Sequence, residues 1–555
     1  MLSVRSGPAL AAQLALVFAV SLAGLAGLIT WLENVHVITA NGMFKALQAL
    51  PWISDFRNAR LDPSNYLYFP LYGGLSSLLD SFGVVRGVAW KQFAYLNAFW
   101  ASIANVMVYA FAHRLSGSAR VAALAALFHA GCGTVLLLSV INEDIMPGYA
   151  LVLGAMLLAG LWFGRPTHGQ VIAVAALFTI GWLVEWRLMF PTLAAFGLAL
   201  LLADLPFRRR LALIGTLLVS IVAIAGIVQQ VWEGHAGAMG LHDLLWTGKG
   251  VTSGWGGFGL DKLWMMLGGV GNYLVLIGSF PLPQDSRAAW LPLSLSSLVQ
   301  AAVLAAAAAV LWPRRREPQV RAIAAVFIGT LGAGEVLNLY SQPHDPQMQV
   351  NVMPWLTVAW AAVLTAALAR PRTNTVALFA LLSLAPLAAN VVSLAQWRGG
   401  DTRAVAALQE LERRFPTDRT VYLYWGFEPA IVWHYALWSQ NWDWDGKVDI
   451  APAPSDKPRF KWISVIADAV RRPASTGPQH AQYLKRDIDL ALARGYEVVV
   501  SGVWAWSETE LTTALGPLSA SSRGPAVYAA LHDEFVAERV FTDALGQTYY
   551  RLRKR

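Results

Sequence analysis

Arg208-Arg209-Arg210-Leu211-Ala212-Leu213-Ile214-Gly215-Thr216-Leu217-Leu218-Val219-Ser220-Ile221-Val222-Ala223-Ile224-Ala225-Gly226-Ile227-Val228-Gln229-Gln230-Val231-Trp232 begins with three arginines and then runs 22 residues without a charge. A bilayer core of about 30 Å needs about 20 helical residues, so the stretch reads as a spanning helix with a basic end. Ten further runs of this kind occur near 9–31, 93–113, 119–140, 147–164, 170–185, 188–205, 290–312, 320–340, 352–369 and 374–396. The first resembles a signal peptide in position. It is too long and has no small-residue cleavage site before Trp31, so it is expected to stay as an anchor.

Basic clusters recur at alternate connections: Arg114/Arg120, Arg165, Arg208–Arg210, Arg314–Arg316 with Arg321, and Arg370/Arg372. By the positive-inside rule these connections are cytoplasmic. Two more apolar stretches, 66–83 and 263–283, would break the alternation if they crossed. They are expected to be re-entrant or interfacial on the outer side. The predicted architecture is an α-helical polytopic membrane protein of about eleven spans, with a cytoplasmic N-terminus and long outer loops at 33–92 and 233–289. It occupies residues 1–397, and 398–555 follow as a soluble outer α/β domain. Within that domain, strand-like runs appear at 420–427, 497–504 and 547–552, with helical patterns at 480–494 and 526–539.

Composition agrees. Of 555 residues, 56% are hydrophobic and only 14% charged, against about 25% in a soluble protein. The apolar content excludes disorder, and the single Cys132 excludes a disulfide scaffold. The net charge of +8 accompanies 24 Trp and 46 Gly rather than a basic stripe, so no nucleic-acid partner is expected. All of it sits before residue 400, where 23 Lys/Arg meet 15 Asp/Glu, and mostly on the predicted cytoplasmic face.

The acids point the other way. Of the 15 before residue 400, only Asp204 and Glu317 fall on the cytoplasmic side. An ionised side chain at a helix centre costs about 2.5–3.5 kcal/mol on insertion scales, so acids gathered at one membrane face mark that face for chemistry. The first outer loop carries Glu33, Asp55, Arg57, Arg60, Asp62 and Tyr68 among aromatic residues. A carboxylate can act as general base and arginine can hold a phosphate bidentately; a solvated loop with Arg–Asp pairs is the plainer alternative. In Asn142-Glu143-Asp144-Ile145-Met146-Pro147 the adjacent acids suit a metal or an acceptor, or Asp144 caps the following helix.

Glu185-Trp186-Arg187 fits an interfacial ion pair. Glu335 lies inside an apolar span, and His344-Asp345 follow it in a proline-bounded turn that suits metal or phosphate. The loop 246–259 contains Lys249 and a formal GxGxxG at Gly254, Gly256 and Gly259. No strand precedes it, so it is not a dinucleotide site. It fits a mobile Gly-rich loop with aromatic ends, or a flap whose Lys249 and backbone amides meet a lipid phosphate. Asn441-Trp442-Asp443-Trp444-Asp445-Gly446 fits a turn or a weak sugar or metal motif.

The arrangement resembles the GT-C superfamily of integral-membrane glycosyltransferases, which use polyprenyl-phosphate or polyprenyl-diphosphate sugars as donors. What carries the resemblance is the acid-bearing first outer loop (Glu33, Asp55, Asp62), the second acidic loop (Glu143-Asp144), the late flexible loop and the C-terminal outer domain. It implies that a first-loop acid is the general base, Asp55 by position, with Asp62 and Glu33 as substitutes. It implies that Glu143 and Asp144 hold a divalent metal (Mg, Mn or Ca) where the enzyme uses one, and Asp345 is a further candidate ligand by its own chemistry. Arg57, Arg60, Tyr68, Arg187, Lys249, Glu335 and His344 are then the candidates for the substrate and lipid phosphate. The implied partners are a polyprenyl-linked sugar donor, a glycan, lipid or protein acceptor, and the bilayer. The implied setting is a bacterial cytoplasmic membrane with the C-terminal domain periplasmic. A lipid transporter or flippase, or an O-antigen polymerase or ligase, remains the alternative.

Overall fold

The computed structural model describes residues 8–33, 66–82, 89–185, 189–232, 258–277, 287–340, 345–370, 372–416, 418–424, 461–465, 476–515 and 523–555. They divide into two compact units, one ending at Arg398 and the other running from Gly399 to Arg555.

The first unit is helical. In chain order its helices are α1 (Pro8–Leu32), α2 (Tyr68–Ser81), α3 (Ala89–Ser116), α4 (Ala119–Gly131), α5 (Gly133–Val140), α6 (Ile145–Trp162), α7 (His168–Val184) and α8 (Met189–Leu201). They continue with α9 (Phe207–Val231), α10 (Leu260–Leu274), α11 (Arg287–Leu311), α12 (Pro318–Tyr340), α13 (Pro346–Gln349), α14 (Pro354–Ala367) and α15 (Thr373–Ala395). Every one of the eleven apolar runs is helical. Among the described residues, seven helices are long and apolar enough to cross a membrane, the pair α4–α5 makes eight if it counts as one span, and three more apolar helices are shorter. The chain is a multi-pass membrane protein.

Helix α6 is buried along most of its length, packed between α7, α3 and α12. The outer ring, including α1 and α9, leaves leucines and valines such as Leu16, Val20, Leu218 and Val219 exposed, as a lipid-facing surface requires. Helices α2 and α10, in the two stretches that would break the alternation, have 14 and 15 residues, about 21–23 Å at 1.5 Å per residue.

The run 119–140 is not one straight helix: α4 and α5 meet at Cys132 with a bend of 69°. Glycines make the break possible. A Cβ on Gly131 would lie 2.8 Å from the Leu387 nitrogen, and one on Gly133 2.8 Å from the Asn272 carbonyl oxygen. Two neighbouring backbones therefore pass too close for any side chain.

Broken helix ends inside a membrane need partners for their free backbone groups, and α15 supplies them. The Asn390 Nδ2 donates to Gly131 O (2.7 Å) and Leu274 O (2.9 Å), while its Oδ1 accepts from Leu276 N at 2.7 Å. Ser393 Oγ donates to Leu276 O at 2.9 Å, and Asn272 Oδ1 accepts from Ile277 N at 2.7 Å. Asn390 thus stitches together the α4–α5 break and the C-terminal end of α10.

The C-terminal unit is α/β. Its elements are α16 (Gly400–Arg414), β1 (Thr420–Tyr424), β2 (Lys461–Ser464), α17 (Gly477–Ala493), β3 (Glu497–Val500), α18 (Glu508–Leu515), α19 (Arg523–His532), β4 (Phe535–Thr542) and β5 (Thr548–Lys554). The sheet order is β2-β1-β3-β5-β4, with β1 parallel to β2 and β3, and β5 antiparallel to β3 and β4.

Alternation sorts β1 between two cores. Val421 and Leu423 join Ile463, Leu484, Ile488, Val498 and Val500, while Tyr422 and Tyr424 join Leu411, Phe415, Val499 and Tyr549. The expected helix 526–539 stops at His532, and Phe535–Thr542 is a strand. Its antiparallel hairpin pairing with β5 overrides the local helical pattern.

Candidate functional site

At the end of the bundle that carries the 141–144 connection, polar side chains from five elements meet in an otherwise apolar interior. Every residue from Ile141 to Ala150 is buried, Glu143 and Asp144 included. A turn this deep has backbone carbonyls to satisfy. Asn97 on α3 does so, donating Nδ2 to Ile141 O (2.8 Å) and Glu143 O (2.7 Å). The Tyr72 hydroxyl on α2 donates to Asn97 Oδ1, fixing the orientation of the amide. Tyr72 in turn stacks on Tyr68 at 4.4 Å and meets Phe93 edge-on at 5.2 Å.

Glu185, at the end of α7, is fully buried as well. The Leu67 amide donates to Leu183 O at 2.9 Å, which ties the start of α2 to that helix end. Burial holds the Tyr68 phenol well above its ordinary range, and Tyr72, Asp144, Glu143 and Glu185 push it further in the same direction. A phenol among three carboxylates stays protonated. Tyr68 is therefore a hydrogen-bond donor, and neither its hydroxyl nor that of Tyr66 has a partner among the described residues.

The third side of the cluster is the turn after α12. Asp345 caps the short α13, its Oδ1 accepting from Gln347 N at 2.8 Å with Pro346 at the first position. From this turn Gln347 Nε2 reaches Glu143 Oε1 at 3.4 Å, and Gln349 Nε2 reaches Glu335 Oε2 at 3.4 Å. Asn338 Nδ2 meets Met348 O at 3.4 Å, holding the turn against α12. Glu143 and Glu335, 192 residues apart in sequence, thus approach one four-residue helix. One basic group also stands at this helix end: Lys262 on α10 donates from Nζ to Tyr340 O at 2.7 Å.

Of the residues singled out in the sequence, Tyr68, Glu143, Asp144, Glu335 and Asp345 come together here. Glu33 stands exposed at the end of α1, with a left-handed backbone (φ 46°) and its amide on Ile29 O at 3.2 Å. Asp55, Arg57, Arg60, Asp62, Arg187, Lys249 and His344 lie outside the described residues, as do most of 246–259 and all of 441–446. Asp144 occupies the N-cap position of α6 without making a side-chain cap bond.

The metal set fares differently. Asp345 is engaged as a helix cap, and among the described residues no three His, Cys, Asp or Glu side chains gather in a metal-holding group. Cap and ligand roles separate by substitution: Asp345→Asn, which still caps, is expected to leave stability unchanged, while Asp345→Ala loses about 1 kcal/mol in thermal denaturation of the detergent-solubilised protein. A loss of bound metal in both variants would contradict the cap role.

No family model matches the chain, and no curated protein matches it either. Solved structures do. The Archaeoglobus fulgidus oligosaccharyltransferase, crystallised in complex with Zn and sulfate, is 13% identical at a TM-score of 0.50, over 96% of this chain and 72% of that one. ArnT from Cupriavidus metallidurans, bound to undecaprenyl phosphate, is 15% identical at a TM-score of 0.43, over 98% and 97%. The fold of this chain, a helical membrane unit followed by a smaller C-terminal α/β unit, is similar to that of the oligosaccharyltransferase.

Proposed function

We propose that this protein is a membrane glycosyltransferase that moves a sugar from a polyprenyl-phosphate or -diphosphate donor to an acceptor at the outer face of a bacterial cytoplasmic membrane. The observation that carries the reading is the buried cluster of Glu143, Asp144, Glu185 and Tyr68 at one end of a GT-C-type bundle. Acids buried at a bundle end are costly to keep, so they mark function. In this reading the N-terminus is cytoplasmic, the C-terminal unit is periplasmic, and the cluster opens to the periplasmic leaflet.

The chemistry is a displacement at the anomeric carbon. The acceptor hydroxyl gives its proton to a carboxylate, Asp55 in this proposal, with Asp62 and Glu33 as its nearest substitutes. The new C–O bond forms as the bond to the phosphate oxygen breaks, with inversion at carbon, and the lipid phosphate leaves with the electron pair. Developing charge on that phosphate is met by cations and donors: Arg57, Arg60, Arg187, Lys249 and His344 from the connecting segments, and the Tyr68 hydroxyl. Preorganised donors of this kind supply a large part of transfer catalysis. Glu143 and Asp144 orient sugar hydroxyls, Glu143 through a carboxylate positioned by Gln347. Glu335 does the same from α12 with Gln349. No step requires a metal.

The test is transfer of a radiolabelled sugar from a polyprenyl-phosphate donor by the purified protein in vesicles. Movement of unmodified donor across the vesicle, without transfer, would overturn the class. Within that assay Glu143→Gln is expected to lower the rate by roughly 10²-fold through lost orientation, with folding retained. Gln347→Glu sets two buried carboxylates side by side and lowers the melting temperature. The double exchange, Glu143→Gln with Gln347→Glu, restores folding but not transfer, because the carboxylate then sits on the wrong helix. Full activity in Glu143→Gln would remove Glu143 from the site.

A further inference from the structure

The C-terminal unit holds a groove that the transfer chemistry does not use. It lies between α16 and the β4–β5 hairpin, has a volume of about 660 Å³, and is lined by Gln409, Glu410, Arg413, Arg414, Phe541 and Thr542. That is ligand size, since binding clefts run from about 300 to 1,000 Å³, and far larger than an inorganic ion needs.

Its electrostatics are specific. Glu410 accepts from Arg414 Nε at 2.6 Å and from Arg413 Nη2, so one carboxylate faces two guanidinium groups and a single positive charge remains. Arg414 holds Glu410 below the usual carboxylate range, with Arg413 adding to it. Arg414 lies over the Phe541 ring at 4.7 Å, and the other neighbour of that ring is Tyr549, at 5.6 Å and nearly parallel. The stack fixes the plane of the guanidinium before any ligand arrives, which removes part of the ordering cost of binding.

Each arginine uses one edge on Glu410. Arg414 does so through Nε, so its terminal nitrogens are available to a planar oxyanion. A residual charge of one matches a carboxylate better than a phosphate monoester, which carries about −1.5 to −2 at neutral pH. The rest of the lining offers the Gln409 amide and the Thr542 hydroxyl beside the small faces of Ala406 and Ala544, a mixed surface that suits a hydroxylated ring.

We propose that this groove binds a sugar bearing a carboxylate, with the carboxylate on Arg413 and Arg414 and the ring hydroxyls along Gln409. The choice of a saccharide rests on the proposed transferase reading, in which the groove holds a stretch of acidic glycan, acceptor or product. Binding is measured without turnover, so the two readings fail separately.

The test is calorimetric titration of the full-length protein in detergent with digalacturonate, lactose, inorganic phosphate and a tetraglutamate peptide. Saturable digalacturonate binding is expected, with lactose and phosphate at least about tenfold weaker. Arg414→Ala and Arg414→Gln each weaken digalacturonate by about tenfold or more. Glu410→Gln removes the internal competitor and strengthens it, an effect that a purely structural ion pair would not produce. Absence of digalacturonate binding, or binding indifferent to both Arg414 variants, overturns the proposal. Equal or tighter binding of phosphate or of the peptide overturns the assignment of a carboxylate sugar.

Discussion

Sugar transfer is expected to fall by roughly 10²–10⁴-fold in Asp55→Asn, the range over which general acid–base catalysis operates, with the melting temperature of the protein unchanged. The amide keeps the shape of the side chain and removes only its ability to take a proton. Asp62→Asn and Glu33→Gln are the controls that make the result informative. Glu33 is exposed at the end of α1, where water already competes for its carboxylate, so its loss should have a smaller effect than that of a base held against the acceptor. The measurement is the initial rate of label transfer at saturating donor, compared across the three variants. If Asp62→Asn or Glu33→Gln shows the large loss and Asp55→Asn does not, the base is reassigned within the same loop. Full turnover in all three would sink first-loop base catalysis.

Asn390→Leu should be the most damaging single change in the membrane unit. Three backbone groups, Gly131 O, Leu274 O and Leu276 N, lose their side-chain partner at once. Each buried backbone group left unsatisfied costs about 1–3 kcal/mol, a sum comparable with the whole stability of many domains. Asn390→Asp separates donor from acceptor: it still accepts from Leu276 N but turns an oxygen toward two carbonyls. It should be nearly as harmful. Both variants are assessed by melting temperature in detergent and by the yield of monodisperse protein. A Leu variant that melts within a few degrees of the parent would mean that water or another side chain satisfies the break.

The contrast between Asn390 and the spans around it explains what a sequence reveals in this protein. A bilayer imposes length and apolar composition on each crossing segment, so all eleven runs are visible and all are helical. The break at Cys132 is not visible, because Gly131 and Gly133 are ordinary residues in a membrane helix until the neighbours that press on them are known. Charged side chains in apolar surroundings single out Glu143, Asp144 and Glu335, which the fold brings to the same end of the bundle. Asn97 and Asn390 escaped because a lone amide in an apolar run looks tolerable rather than functional. The available signal was its cost in hydrocarbon, which an amide recovers only by bonding to backbone. Gln347 escaped for a different reason. Its partner lies 204 residues away, and no local pattern encodes that approach. In the C-terminal unit β4 is a strand paired with its hairpin neighbour β5, where a helical pattern runs on past His532.

Cys132 is the only cysteine in the chain, and it is buried at the α4–α5 junction. A thiol without solvent access does not react with maleimides on the timescale of labelling. The native protein is therefore already a silent background for cysteine chemistry, and no cysteine-free version has to be made or refolded. A single cysteine introduced beside Arg208–Arg210, and another in the C-terminal unit, can be labelled in intact cells and in permeabilised ones to report which face of the membrane each occupies. The bend that upsets the simple picture of one straight span thus hides the one group that would have obscured the experiment on sidedness.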